Sequence, residues 1–324
     1  APQVTYAPLY ALILCSVLFY MPTISLSNSV AYSSLSKANL NTVKHFPPIR
    51  VWGTVGFICA MVLVDLLGFT RSPNQLYFSA TLSILLGLYS FTLPQSDVNK
   101  EEKTQSWVDA MGLRAFTLFK EKKMAIFFIF FMFLGVSLQI TNAFANDYLT
   151  NHFGLMEIYQ GTFGVEHANI LISLSQLSET LCILLIPFFL RRFGIKTVML
   201  ISMAAWVLRF GLLGAGNPGG GVWMLILSML VYGVAFDFFN ISGSLYVDQE
   251  TSPSIRSSAQ GVFMIMTNGF GALIGSYAAG FVVDHVGWPN SWYVFAGYAL
   301  VIAILFALIF KHKHNPDEIP DQII

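Results

Sequence analysis

Long apolar runs separated by short polar connections dominate the pattern along the chain. A helix that spans a membrane needs about 20 predominantly apolar residues, and nine stretches meet this requirement. They predict helices over 8–33, 48–68, 76–94, 124–148, 167–190, 197–215, 222–247, 258–284 and 292–311. Proline and glycine mark several of the ends, as at Pro94 and in the run 217–221 (NPGGG). The pattern therefore predicts an all-α, polytopic membrane protein in contact with the lipid bilayer.

The composition agrees with this prediction. Of the 324 residues, 55% are hydrophobic and 10% are charged, and the mean hydropathy is +0.65, whereas soluble domains carry about 25% charged residues. Basic and acidic residues balance at 17 each, so no net charge favours a nucleic-acid partner. Cys15, Cys59 and Cys182 each lie in an apolar run, without the spacing of a disulfide framework or a zinc site. We therefore expect no metal and no cofactor.

The distribution of Lys and Arg predicts the orientation in the membrane. The connections after the first, third, fifth and seventh spans, together with the C-terminal tail, contain 14 basic residues, and the other connections contain only Arg71. Basic residues accumulate in cytoplasmic loops. The C-terminus is therefore predicted to be cytoplasmic, and residues 1–7 are predicted to lie outside.

The order of spans and connections predicts two halves. A chain that begins outside, directly before a span and without an initiator methionine, is typical of a chain that has lost its first part. Transporters are commonly built from repeats of three and six helices. We therefore expect nine of the twelve transmembrane helices of a fold built from two six-helix halves. The protein is expected to act as a monomer. The expected segments are the remainder of the N-terminal half (1–94), a cytoplasmic connector (95–123), the C-terminal half (124–312) and a cytoplasmic tail (313–324).

Polar side chains inside the predicted spans are the candidates for function, because a charge at the bilayer centre costs about 2.5–3.5 kcal/mol on insertion scales. Asp237 lies in mid-span. It either pairs with a basic residue or, because a low dielectric disfavours a charged carboxylate, carries a proton. Gln176 and Glu179 share one helix face, as do Gln139 and Asn142. Any one of these amides could equally well form a hydrogen bond between helices as line a cavity. Polar stripes on several helices, however, indicate a shared cavity.

Two arginines lie within the predicted spans. Arg50, at the start of the second span, has the position of a cytoplasmic anchor, and Thr54 and Phe57 follow it on the same helix face. Arg209 lies deeper, and we expect it to be a structural counter-charge. The acidic residues near span ends are expected to be interfacial: Asp65, Asp248 and Asp284.

Three aromatic residues share helix faces with these polar candidates, namely Phe57, Tyr232 and Phe236. An aromatic ring beside an amide offers a stacking surface and in-plane hydrogen bonds, which suit a flat heterocycle or a sugar ring. No cluster of Arg and Lys lies at membrane depth in the sequence, so a multiply charged phosphate is not the expected substrate.

Several stretches resemble a known family. The segment 191–196 (RRFGIK) and the long central connector resemble the major facilitator superfamily. The segments 45–57 (HFPPIRVWGTVGF), 138–142 (LQITN), 175–180 (SQLSET) and 232–243 (YGVAFDFFNISG) resemble the bacterial nucleoside permeases of the nucleoside:proton symporter family, and 259–261 (AQG) and 267–271 (TNGFG) fit as well. The resemblance covers essentially the whole chain.

The resemblance implies a twelve-helix fold with both ends cytoplasmic, which imports nucleosides with protons across the bacterial inner membrane by alternating access. It implies that the substrate is bound by Arg50, Thr54, Phe57, Gln139, Asn142, Gln176, Glu179, Tyr232 and Phe236. It implies proton coupling at Asp237, together with Glu179. The family has three further helices before the position of Ala1, and without them the N-terminal half is not expected to close.

Other functions fit the pattern less well. A carrier for a sugar or another neutral metabolite is the alternative within transport, because stacking rings and amides also suit sugars. A membrane enzyme is not expected, since all six histidines lie in connections or at span ends without metal-ligand spacing. A nutrient sensor would carry a soluble output domain, which the apolar pattern does not contain.

Overall fold

The computed structural model describes residues 6–40, 42–70, 72–93, 113–251 and 256–311. The helices are α1 (Tyr6–Lys37), α2 (Thr42–Leu66), α3 (Asn74–Ser90), α4 (Lys122–Asp147), α5 (Ala168–Ala215), α6 (Val222–Glu250), α7 (Arg256–Met264), α8 (Ala272–Val286) and α9 (Asn290–Ile309). A 3₁₀-helix, Leu113–Lys120, precedes α4, and π-helical turns follow α4 (Tyr148–His152) and join α7 to α8 (Ile265–Gly271). The described residues contain no strand, which confirms the all-α prediction.

Six segments of the described chain are long and apolar enough to cross a membrane. They are Lys122–Leu155, Ala168–Ile186, Phe188–Ala215, Val222–Val247, Ala259–Val286 and Asn290–Ile309. The three predicted spans before residue 95 are also helical, as α1, α2 and α3, but the described apolar runs of α1 and α2 are shorter, Pro8–Tyr20 and Val51–Leu66. The predicted cytoplasmic tail and most of the predicted connector lie outside the described residues.

The chain forms two compact units. Of the described residues, the first unit contains those up to Gly53 and those of 73–93, and the second contains those of 54–72 and those from 113 onward. In the first unit, α3 buries none of its side chains. Two of its hydroxyl groups bond to carbonyls of their own helix, because Ser83 donates to the Ser79 carbonyl and Thr81 to the Tyr77 carbonyl, each at 2.9 Å.

Within the second unit, α4 packs main chain to main chain against the α7–α8 segment. Gly135 of α4 faces Thr267, and a methyl group built on Gly135 would overlap the Thr267 carbonyl. The same addition on Gly271 would lie 2.6 Å from the Met132 carbonyl oxygen, and on Gly275 2.9 Å from the Val136 carbonyl oxygen. Small residues at such positions let helices approach closely in a membrane.

The longest helix, α5, is divided at Gly194, which has φ 73° and ψ 165°. This conformation favours glycine, and it lies within the short connection predicted between the fifth and sixth spans, so we call residues 168–193 the first arm and 195–215 the second arm. Helix α6 packs against both arms. Ser178 of the first arm donates to the Leu230 carbonyl, and Ser202 of the second arm donates to the Ala235 carbonyl at 2.5 Å.

Aromatic side chains fill the core of the second unit. Phe131 of α4 stacks on Phe239 of α6 with ring centroids 4.3 Å apart. Phe210 of the second arm lies 6.0 Å from Trp292 of α9. These rings are fully or almost fully buried, so they fix the positions of α4, α5, α6 and α9 around the polar side chains described next.

Candidate functional site

A cavity of about 370 Å³ lies in the second unit, among α2, α4, α5 and α6. This volume is within the range of about 300–1,000 Å³ that is typical of small-molecule sites. Aromatic, amide and hydroxyl groups share its wall with one guanidinium. The lining residues are Phe57, Met61, Thr141, Asn142, Ala145, Asn146, Ile172, Ser175, Gln176, Arg209 and Tyr232.

The amide groups of the wall come from two helices. Asn142 and Asn146 are one helical turn apart on α4, and Gln176 projects from the first arm of α5. Asn146 donates to the Asn169 side-chain oxygen at 3.3 Å, which fixes its orientation. The side chains of Asn142 and Gln176 form no hydrogen bond within the described part of the chain, so their donors and acceptors are available to a ligand.

The aromatic part of the wall is formed mainly by Tyr232, which is 5% exposed. Its ring stacks on that of Phe236, one turn further along α6, with centroids 5.7 Å apart and planes at 19°. Its hydroxyl is close enough to the carboxylates of Glu179 and Asp237 to interact with them electrostatically. Both candidate carboxylates therefore lie near one aromatic residue of the cavity, and Asp237 is itself buried, with 2% exposure.

Arg209 also lines the cavity, which sequence reasoning did not anticipate. It is 2% exposed, and one terminal nitrogen donates to the Ser228 carbonyl of α6 at 2.5 Å. Its guanidinium carbon lies 4.7 Å from the centroid of the Tyr232 ring. Among the described residues no carboxylate is within salt-bridge distance of it, so the expected counter-charge role has no partner there.

The structure brings together four of the predicted substrate-binding residues, Phe57, Asn142, Gln176 and Tyr232, in one cavity wall. Others lie near it or point elsewhere. Phe236 packs on Tyr232, Gln139 donates to the Ser276 hydroxyl of α8 at 3.2 Å, and Thr54 is half-buried on α2, one turn before Phe57. The side chain of Arg50 lies outside the described residues. The functional roles of the whole set remain predictions.

A second polar cluster involves residues that the sequence did not single out as a pair. Asp65, expected to be interfacial, is 7% exposed, and its Oδ2 lies 2.7 Å from Nδ1 of His167, immediately before α5. Two residues after His167, Asn169 donates to the Thr70 hydroxyl at 3.1 Å and accepts from Asn146, which lines the cavity. The only signal in the sequence was an acidic residue at the end of an apolar run.

A metal site is not apparent in the described residues, which contain no group of three or more His, Cys, Asp and Glu side chains placed to hold an ion. The polar groups that line the cavity are amides, hydroxyls and one guanidinium. Such groups can bind a neutral polar ligand through hydrogen bonds.

Comparison with known proteins gives close relatives. A profile of the family described as nucleoside H⁺ symporter matches residues 1–315. Nucleoside permease NupG of Escherichia coli (strain K12) is 51% identical over 322 residues, covering 97% of this chain and 77% of the permease. The xanthosine permease of the same organism is 50% identical over 323 residues, covering 98% and 77%. The crystal structure of nucleoside transporter NupG has a TM-score of 0.80 at 52% identity, covering 91% of this chain and 74% of that chain.

A sugar carrier is a more distant relative. Sucrose permease of Escherichia coli is 22% identical over 273 residues, covering 82% of this chain and 61% of the permease. The similarity to the nucleoside permeases is thus much stronger and extends further along the chain. The comparisons favour the nucleoside interpretation over the sugar alternative.

Proposed function

The chain belongs to the nucleoside H⁺ symporter family, and we propose that it imports nucleosides together with protons across a bacterial inner membrane by alternating access. It has the fold of the major facilitator superfamily, and its relatives are transporters. In this proposal the chain acts as a monomer with a cytoplasmic C-terminus. Segments 1–94 and 124–312 belong to the two halves that rock about the substrate, joined by the connector 95–123.

The observation that carries this proposal is the composition of the cavity wall. A nucleoside presents a flat base with donors and acceptors in its plane, and a ribose with hydroxyl groups. Phe57 offers a stacking surface, since half of its side chain is exposed, and the buried ring of Tyr232 adds aromatic contact in the wall. The unoccupied donors and acceptors of Asn142 and Gln176 would bond the edge of the base. Thr54, Gln139, Phe236 and Arg50 would complete the site as the halves close.

Proton coupling in this proposal belongs to Asp237, with Glu179 as its neighbour in the same region. Both lie near the Tyr232 hydroxyl, so a change in their protonation would alter the electrostatic field at a residue of the binding wall. Burial of Asp237 disfavours its charged form. Substrate binding and protonation would thus stabilise the same conformation, which is the requirement for symport.

The test is uptake of labelled uridine into cells that lack their own nucleoside permeases. We expect accumulation against the gradient that a protonophore abolishes and that excess unlabelled glucose leaves unchanged. Excess unlabelled inosine or uridine is the positive competitor, and vector-only cells give the background. Correctly inserted protein that takes up no uridine, or whose uptake glucose suppresses, would contradict the proposed substrate class. Accumulation that persists with the protonophore would contradict proton coupling.

A further inference from the structure

Arg209 is a buried cation in a membrane-spanning segment, Phe188–Ala215, and it lines the proposed substrate cavity. Its side chain is among the largest fully buried ones, at 2% exposure. Placing an ionisable residue inside a membrane costs free energy, so such a residue is a candidate for function. The partners of this guanidinium identify what it does.

Within the described part of the chain, the guanidinium contacts α6 and forms no ion pair. One terminal nitrogen donates to the Ser228 carbonyl at 2.5 Å, and the other lies 3.8 Å from the Met229 sulfur. The third nitrogen, Nε, is buried without a hydrogen-bond partner among the described residues. A role in holding α5 against α6 does not by itself account for this arrangement, because a neutral donor in place of Arg209 could also donate to the Ser228 carbonyl.

The remaining contact is with an aromatic ring. The guanidinium carbon is 4.7 Å from the centroid of the Tyr232 ring, inside the distance of about 6 Å at which a cation and an aromatic face attract each other. This attraction is strongest where water is excluded, as it is here. Tyr232 is held further by an edge contact with Trp206, 6.1 Å away, and by its stacking on Phe236.

We propose that Arg209 is a positioning residue for substrate, which fixes the Tyr232 ring in the cavity wall before the nucleoside arrives. The inference rests on the proposed function, because it assigns a role within that binding site. A ring that is already held in place loses no freedom when a nucleoside packs against it, so binding costs less. Arg209 thereby acts on affinity through Tyr232 and not by holding α5 against α6.

The test compares uridine binding, by isothermal titration calorimetry, to the purified protein and its variants. We expect Arg209→Gln to weaken binding about tenfold, and Arg209→Lys, which keeps a cation, to recover most of the loss. Ser228→Ala is the matched control. It removes the 3.2 Å bond from the Ser228 hydroxyl to the Arg209 carbonyl between the same helices, but it leaves the guanidinium and the ring untouched, and we expect wild-type affinity.

A double-mutant cycle separates positioning from structural support. If Arg209 acts through the ring, Arg209→Gln will change affinity less than about threefold in the Tyr232→Leu background. Equal effects of Arg209→Gln in both backgrounds would overturn the inference, as would a folded Arg209→Lys variant that binds no better than Arg209→Gln. Wild-type protein that does not bind uridine would instead overturn the proposed function itself. That result differs from those that overturn the role of Arg209, in which the wild-type protein binds uridine.

Discussion

The contact between His167 and Asp65 provides the most direct test of the structure. The side chain of Asp65 is 1% exposed and that of His167 is 36% exposed, and the ring nitrogen lies 2.7 Å from the carboxylate. The other oxygen of Asp65 is buried and has no partner among the described residues. Replacing His167 with alanine therefore leaves a buried carboxylate with no hydrogen bond from the described chain.

The expected cost follows from this geometry. A hydrogen bond to a charged group contributes about 1.5–3 kcal/mol. Because water reaches His167, we expect the lower end of that range, a loss of about 1.5 kcal/mol in the free energy of unfolding. Adding Asp65→Asn to His167→Ala removes the uncompensated charge and should recover part of the loss, because an amide is less costly to bury than a carboxylate.

The assay is unfolding in mixed micelles by titration with dodecyl sulfate, followed by tryptophan fluorescence. The expected order of stability is wild type, then the double variant, then His167→Ala. His167→Phe is the matched control for the ring contact of His167 with Phe163, 5.1 Å away, and it should be as destabilising as His167→Ala if the hydrogen bond dominates. A double variant less stable than His167→Ala would refute the reasoning.

The other predictions concern transport, binding and packing. Asp237→Asn should abolish accumulation of uridine against its gradient while leaving exchange of labelled for unlabelled uridine measurable in proteoliposomes; retained accumulation would exclude the coupling role. Asn142→Ala should weaken uridine binding about tenfold. Gln139→Ala loses mainly a helix–helix bond of about 0.6 kcal/mol and should weaken binding less than threefold. The reverse order in calorimetry would contradict the positions of these two side chains in the structure. Gly271→Ala should destabilise the protein by about 1–3 kcal/mol, because the added methyl group meets the Met132 carbonyl oxygen. Gly261→Ala, whose methyl group would meet nothing within 4 Å, is the control, and equal unfolding midpoints would argue against the close contact.

The sequence predicts the helices better than the contacts among them. Apolar length alone located the spans after residue 120, and the placing of polar side chains within apolar runs marked Asn142, Gln176 and Tyr232, which share a cavity wall. Hydropathy carries no information about partners, however. It placed Asp65 at an interface because it ends an apolar run, and it could not show that His167, 102 positions later, covers that carboxylate.

Arg209 illustrates the same limit in another way. A basic residue in an apolar run suggests an acidic partner, and the sequence offers several within other spans. The structure instead places its guanidinium over the ring of Tyr232 and against a carbonyl of α6. Neither contact has a signature in the residue pattern, because any carbonyl accepts a hydrogen bond and Tyr232 had been marked for a different reason.

The main-chain contact of α4 with the α7–α8 segment has a consequence for measuring motion. Gly135 and Gly271 bring backbone against backbone, and a contact without side chains has no rotamers through which to slide or loosen. Asn142 lies on α4, so this part of the cavity wall should move together with α8 in both the outward-facing and the inward-facing conformation. The distance between spin labels on the outer surfaces of α4 and α8 should therefore stay constant. It provides a fixed reference for measuring the displacement of every other helix.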